Sequence, residues 1–310
     1  MGLEHGTSYP ERVLAKILGE NRLPMPRTTH RIVFGDSRRM HEVPDGSVHL
    51  VVTSPPYPMI KIWDDIFNSY GCKTYDQMHQ YLAGVWKECY RVLVDGGIAC
   101  INIGDATRDS EGTFKLFPNH AKVIEICQRI GFISLPYILW KKPTTKPNSF
   151  LGSGFIPTNA YVTLDCEYIL IFRRGKPRKF RPKDLYRYAS HYTREQRDKW
   201  FSQIWDVKGV RQENNEVKRR TAAYPEEVAC RLIRMFSIIG DTVLDPFLGT
   251  GTTTKAAMQL YRNSVGYEID ENLLELIKKK VGYYQEQLPG PKDVEIVFRE
   301  DRIKRLMRKG

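Results

Sequence analysis

Thr242-Val-Leu-Asp-Pro-Phe-Leu-Gly-Thr-Gly-Thr-Thr253 decides how the rest of this 310-residue chain is read. A β-branched, apolar run stops at an acid and a proline, two glycines stand one residue apart, and a helix-compatible segment runs to residue 261. A second strand-like run follows at 264–269. Strand, tight loop, helix, strand is the unit of a parallel sheet. Gly249 and Gly251 let the backbone turn sharply and approach a ligand whose polar groups meet the helix N-terminus.

The loop is neither of the two common phosphate-binding patterns. No Gly-Lys-Ser/Thr follows the glycines, and Thr254 stands where a dinucleotide fingerprint needs its third glycine. Glu268 ends the next strand, roughly twenty residues on, where an acid can accept two hydrogen bonds from a ribose diol. A nucleotide-like ligand is therefore expected.

Upstream the same grammar repeats. Strands are predicted at 31–34, 48–52, 97–103, 133–140 and 166–172, helices at 75–93, 119–130 and 225–237, and the strands at 133–140 and 166–172 form a candidate hairpin. The fold class is α/β, with a mostly parallel sheet, one reversed hairpin strand and an inserted region. The expected division is an arm over 1–29, whose one amphipathic stretch is 11–18, a first part of the main domain over 30–172, a basic insertion over 173–220, and a ligand-binding part over 221–310. The polar excursion at 141–159 is too long to be a simple turn.

The net charge of +12 points to a polyanion, nucleic acid before an acidic membrane. Residues 173–220 hold sixteen Lys/Arg against six Asp/Glu, a surplus of ten, interleaved with Tyr186, Tyr188, Tyr192 and Trp200. The six cysteines are scattered without a Cys-x-x-Cys pair, so neither a metal site nor a disulfide framework is expected, and reduced core residues are. No apolar run reaches the roughly 20 residues of a spanning helix, and the first residues lack the order of a signal peptide, so a cytoplasmic protein is expected.

Val51-Val-Thr-Ser-Pro-Pro-Tyr57 closes an early strand with a polar residue, two prolines and an aromatic, at the strand end where open α/β sheets build their sites. Together with Asp245-Pro-Phe-x-Gly-x-Gly-Thr-Thr253 and Gly266-Tyr-Glu-Ile269, it resembles the β-class of DNA amino-methyltransferases, in which the catalytic motif precedes the recognition region and the cofactor motif comes last. The stretches 88–97, 102–105, 140–143 and 167–170 are similar to family motifs in the same order, and the resemblance spans 35–280.

The resemblance implies a Rossmann-like, circularly permuted methyltransferase sheet, S-adenosyl-L-methionine as cofactor, and Asp36, Asp245, Pro246, Phe247, Gly249, Gly251, Thr252, Thr253 and Glu268 as cofactor-binding residues. It implies Ser54, Pro55, Pro56 and Tyr57 as catalytic residues and no metal. A base amine is a poor nucleophile because its lone pair is delocalised into the ring. Ser54 Oγ and the Pro55 carbonyl would hold its two hydrogens, the prolines would fix the backbone, and Tyr57 would stack on a flipped base. The Ser-Pro-Pro-Tyr form accompanies cytosine N4, so N4-methylcytosine in duplex DNA is the implied product of a site-specific modification enzyme, and a cognate restriction endonuclease is a candidate partner. C5-cytosine chemistry is set aside, because no cysteine here follows a proline.

Two positions depart from the family pattern. Arg220-Thr-Ala-Ala-Tyr-Pro225 replaces a His-Pro-Ala-x-Phe-Pro-like stretch, which leaves Thr221 without a firm role. Asp301, after the apolar run 296–298, competes with Asp36 for the cofactor adenine, and position just upstream of the catalytic motif favours Asp36. Residues 173–220 are expected to grip phosphates, and Lys146, Asn148 and Ser149 form a second candidate contact. The alternatives are adenine N6 methylation and, from another class, a catalytically silent DNA-binding or specificity protein. Oligomeric state and target sequence are not legible.

Overall fold

The strands, in chain order, are β1 (Thr28–Phe34), β2 (Val48–Thr53), β3 (Leu93–Ile103), β4 (Ala106–Ser110), β5 (Thr113–Phe117), β6 (Ile133–Lys141), β7 (Cys166–Arg173), β8 (Ile204–Asp206), β9 (Thr242–Asp245), β10 (Asn263–Glu268) and β11 (Lys292–Phe298). They belong to a computed structural model that describes residues 23–110, 112–142, 157, 161–182, 184–209, 224–284 and 292–302. Nine of them form one sheet, ordered β11-β1-β10-β9-β2-β3-β7-β6-β8, while β4 and β5 pair separately as a hairpin. Every neighbouring pair in the large sheet is parallel except those made by β7, which runs against both β3 and β6. This is the mostly parallel sheet with one reversed strand that the sequence pattern predicts.

The helices are α1 (Asp64–Ser69), α2 (Tyr75–Val92), α3 (Asn119–Ile130), α4 (Leu185–Ala189), α5 (Arg194–Trp200), α6 (Glu226–Phe236), α7 (Thr252–Gln259) and α8 (Leu274–Lys280). Alternation along the central strands sorts them into two layers, because successive side chains point to opposite faces. Val51, Ala99, Ile101 and Leu244 pack with Leu82, Val85 and Trp86 of α2 and Val123 and Cys127 of α3. Leu50, Val52, Cys100 and Val243 pack on the other face with Val228, Leu232 and Ile233 of α6 and Ala256 and Ala257 of α7. Helix α2 starts where Thr74 and Gln77 form a reciprocal capping box, and α3 stops at Gly131, whose φ of 115° is left-handed. All six cysteines are free, and four of them are buried.

Several expectations shift. The arm over 1–29 ends earlier, because β1 already begins at Thr28, where it pairs with Lys292 of β11. The described part of the basic segment, expected as an insertion over 173–220, packs on the sheet. Arg173 is the last residue of β7, β8 extends the sheet beside β6, and Trp200 and Trp205 are buried in the second core cluster. Trp200, grouped with the tyrosines as an aromatic interleaved among cations, is therefore a core residue. Arg178 runs to Asp241 at the foot of β9 with two bonds of 2.6 and 3.0 Å. The segments 11–18 and 143–156, with Lys146, Asn148 and Ser149, and Thr221 lie outside the described residues.

Asp241 is 4 % exposed, so removing its guanidinium partner leaves a buried carboxylate with the half-buried His49 3.5 Å away and the electrostatic influence of Arg262. Arg178→Ala is expected to cost about 3 kcal/mol of folding stability, read as a lower denaturation midpoint at unchanged slope in urea.

Candidate active site

Strands β9 and β2 are neighbours with Leu244 opposite Val51, so the glycine loop and the Ser-Pro-Pro-Tyr segment, far apart in sequence, leave adjacent strand ends. Asp245 joins them. Its Oδ1 accepts from Thr53 Oγ1 at 2.7 Å and from the Phe247 N–H at 3.1 Å, and its Oδ2 accepts from Thr253 Oγ1 at 2.5 Å. Tyr224 Oη bonds Thr253 Oγ1 in turn. Burial pushes the Asp245 carboxyl up to about 6, although these donors pull the other way.

Several residues expected to face a cofactor are thus engaged inside the protein. Asp245 and Thr253 brace the loop against β2, and Thr252 Oγ1 accepts from Lys280 Nζ of α8 at 2.9 Å, as Thr250 Oγ1 does at 2.7 Å. Pro246 is buried, and Phe247 packs edge-on against Trp86 at 5.9 Å between centroids. The two glycines set the course of the backbone. Gly249 and Gly251 hold φ of 57° and 89°, the left-handed region that glycine reaches without strain, and Gly251 is the N-cap of α7.

Beside the loop, Glu268 ends β10. Its Oε2 accepts from the Gly249 N–H at 2.8 Å, and its Oε1 accepts from the N–H groups of Ile269 and Asp270 at 2.8 and 2.9 Å. Burial nevertheless pushes this carboxyl up to about 7. Asp36 follows β1, whose Phe34 is the register partner of Glu268. The Asp36 carboxylate is held by the Arg38 guanidinium at 2.6 Å and by the Arg38 N–H at 2.9 Å, with Tyr81 Oη at 3.5 Å. Asp301 lies on the outer side of the same strand end. A Cβ on Gly35 would sit 2.9 Å from its Oδ1, and its Oδ2 pairs with Arg299.

The catalytic segment is fixed from several sides. Ser54 is half-buried, Pro55 and Pro56 are buried, and Tyr57 is 7 % exposed. Ser54 Oγ lies 3.1 Å from Tyr57 Oη, and Tyr57 donates to Glu167 Oε2 at 2.9 Å. Asn102 Nδ2 donates to both Tyr57 Oη and Glu167 Oε2, at 2.8 and 2.7 Å. Lys142 pairs with the other oxygen of Glu167 and lies 4.6 Å from the Trp140 ring. The Tyr57 ring also leans on Gly104, where a Cβ would stand 3.0 Å from Cε2. Below the loop, Asn119 donates to the carbonyls of Pro58 and Gly104 at 3.0 and 2.9 Å, and its Oδ1 meets His79 Nε2 at 3.1 Å. Burial pushes His79 down to about 4, so the imidazole is neutral and donates.

Asn102 and Glu167 stand in motif-like stretches of the sequence, but neither shows there that it converges on Tyr57. Asn119 and His79 carry no local signal beyond positions on helices. Among the described residues, no group of three or more His, Cys, Asp or Glu is arranged to hold a metal ion. No helix of the described residues is long and apolar enough to cross a membrane.

Residues 48–279 match the profile of the N6/N4 DNA methylase family. The chain is 59% identical to the type II methyltransferase M.MjaI of Methanocaldococcus jannaschii, over 88% of this chain and 97% of that protein. It is 48% identical to the type II methyltransferase M.MthZI of Methanothermobacter thermautotrophicus, over 82% and 77%. Among solved structures, TTHA0409 of Thermus thermophilus, determined with S-adenosyl-L-methionine, aligns with a TM-score of 0.68 and 33% identity over 86% of this chain and 99% of that one. The cytosine-N4-specific PvuII DNA methyltransferase shares the fold, with a TM-score of 0.58 at 16% identity over 89% and 99%.

Asp245→Ala would leave two hydroxyls and the Phe247 N–H without their acceptor. A loss of about 2–4 kcal/mol is expected, measured by denaturant unfolding, with Thr53→Ala costing less because it removes a single bond.

Proposed function

Because the chain belongs to the N6/N4 DNA methylase family, we propose that it transfers a methyl group from S-adenosyl-L-methionine to the N4 amine of cytosine in duplex DNA. The observation that carries this reading is the meeting of Ser54 with the glycine loop at adjacent strand ends, tied through Thr53 and Asp245. The serine in the tetrapeptide favours cytosine N4 over adenine N6.

The residues around the loop fit the cofactor. Glu268 has one lone pair left, on Oε2, for a ribose hydroxyl after its three backbone bonds, Asp36 offers an acceptor for the adenine amine one strand away, and the half-buried backbone at Gly249 leaves room for close approach. When bound, the cofactor supplies an electrophilic methyl on a sulfonium. The chain's part is orientation. Ser54 Oγ and the Pro55 carbonyl hold the amine hydrogens so that the nitrogen lone pair faces the methyl, and much of the rate comes from that alignment. Tyr57, held by Asn102 and Glu167, supplies one wall of the pocket for a flipped base. Arg194 and Arg197 on α5, 84 % and 67 % exposed, are among the cations suited to backbone phosphates.

Purified protein incubated with S-adenosyl-L-methionine and unmethylated duplex DNA, followed by nucleoside mass spectrometry and sequencing of the modified sites, tests the reading directly. N4-methylcytosine is expected. N6-methyladenine would overturn the base assignment, and no modified base on DNA of varied sequence would overturn the activity.

Glu268 sets a pH dependence. Burial pushes its carboxyl up to about 7, and only the ionised form keeps its three backbone bonds and still has an oxygen free to accept a ribose hydroxyl, so binding favours deprotonation. Cofactor affinity is expected to be full above pH 7 and to fall by up to about tenfold per unit below it, a trend calorimetry would follow and Glu268→Gln would abolish.

A further inference from the structure

The geometry points to Glu167 as the residue that fixes Ser54 as a hydrogen-bond acceptor, and so makes the pocket select an amine over a carbonyl. This inference rests on the methyl-transfer reading above. It follows from counting protons around Tyr57, whose hydroxyl has a single hydrogen and three neighbours: Ser54 Oγ at 3.1 Å, Glu167 Oε2 at 2.9 Å and Asn102 Nδ2 at 2.8 Å.

The Asn102 amide can face these groups in one sense only. Turned over, its oxygen would stand 2.7 Å from a carboxylate oxygen, acceptor against acceptor, so the N–H side faces both Glu167 and Tyr57. Asn102 is 3 % exposed, and its Oδ1 is left buried without a partner as the cost of that orientation. Toward Asn102, then, the Tyr57 oxygen accepts. Toward Glu167 it donates, because the carboxylate, salt-bridged to Lys142, only accepts.

The one phenolic proton is thereby committed to Glu167. The remaining contact, to Ser54, has a single consistent sense: Ser54 O–H donates and Tyr57 Oη accepts. Both lone pairs of Ser54 Oγ are left to face the cleft, where they receive an N–H and repel a carbonyl oxygen. Glu167 makes no contact with substrate in this scheme. It is a positioning residue that acts on Ser54 through Tyr57.

Glu167→Met removes the carboxylate at similar length and lets Lys142, 38 % exposed, turn to solvent. Tyr57 would then accept from Asn102 and donate to Ser54, reversing the serine. The probe is the duplex that the sequencing experiment identifies, with the target cytosine, or uracil in its place, set opposite an abasic site in both so that the cost of unpairing is equal. Wild type should bind the cytosine duplex more tightly. Glu167→Met should lose that preference to within about twofold and lose kcat by on the order of a hundredfold, with cofactor affinity unchanged. Glu167→Gln, which keeps an acceptor, should recover most of the kcat and the preference. Retained discrimination in a folded Glu167→Met protein, or lost kcat with the preference intact in both variants, would overturn the inference. Absence of methylation by the wild type would instead overturn the transfer reading itself.

Discussion

Asp245 has to sit out of water for the two halves of this site to meet. A carboxyl with 3 % exposure is expensive to ionise, and the fold compensates with a ring of donors drawn from separate parts of the chain: Thr53 on β2, Thr253 on α7 and the Phe247 backbone in the loop. The arrangement only works if β2 and β9 are adjacent and in register. Position of the glycine loop, direction of the Ser-Pro-Pro-Tyr segment and spacing between them are therefore one constraint, satisfied or lost together. Tyr224 and Lys280 extend the same bracing, one toward α6 and the other from α8, so that the side chains of the loop are tied down.

Much of the sheet was legible because its strands are short apolar runs and its helices carry one apolar face. The helix expected over 119–130 is α3 to the residue. The β4–β5 hairpin was not legible, since Ala106–Ser110 and Thr113–Phe117 alternate weakly and make their own small sheet rather than joining the core. Nor was β8, three residues long and held in place by its partner β6. At the site, the two motifs fall at adjacent strand ends, but the direction of each side chain was not legible. Asp245, Thr252 and Thr253 read as cofactor contacts through the family resemblance, while in the fold their side chains bond within the protein. Glu167 stands in a motif-like stretch, but its role was not legible for a different reason: it depends on a partner 110 positions away.

The basic segment illustrates the same limit in charge. Counted in sequence, its cations are alike. In the fold they divide, with Arg174 donating to the backbone carbonyls of Arg91 and Leu93 and Arg178 closing on Asp241, while Arg194 and Arg197 stay in solvent. Trp200 and Trp205 anchor this division by placing large aromatic area against β6 and α6. Among the described residues, the cations of this segment thus provide both a firm attachment to the sheet and an exposed, outward face.

Strand β1 pairs with no strand near it in sequence. It is flanked by β10 and β11, with Thr28 opposite Lys292 and His30 opposite Ser264, so a strand made early in synthesis waits for partners made late before it can pair. Until then its apolar side chains Ile32, Val33 and Phe34 have nowhere to go, and closing so long a loop is the slow kind of step in folding. Asp36, carried just beyond β1, joins Glu268 only when that strand inserts. Insertion of β1 is therefore also the step that brings Asp36 to the strand end where Glu268 stands.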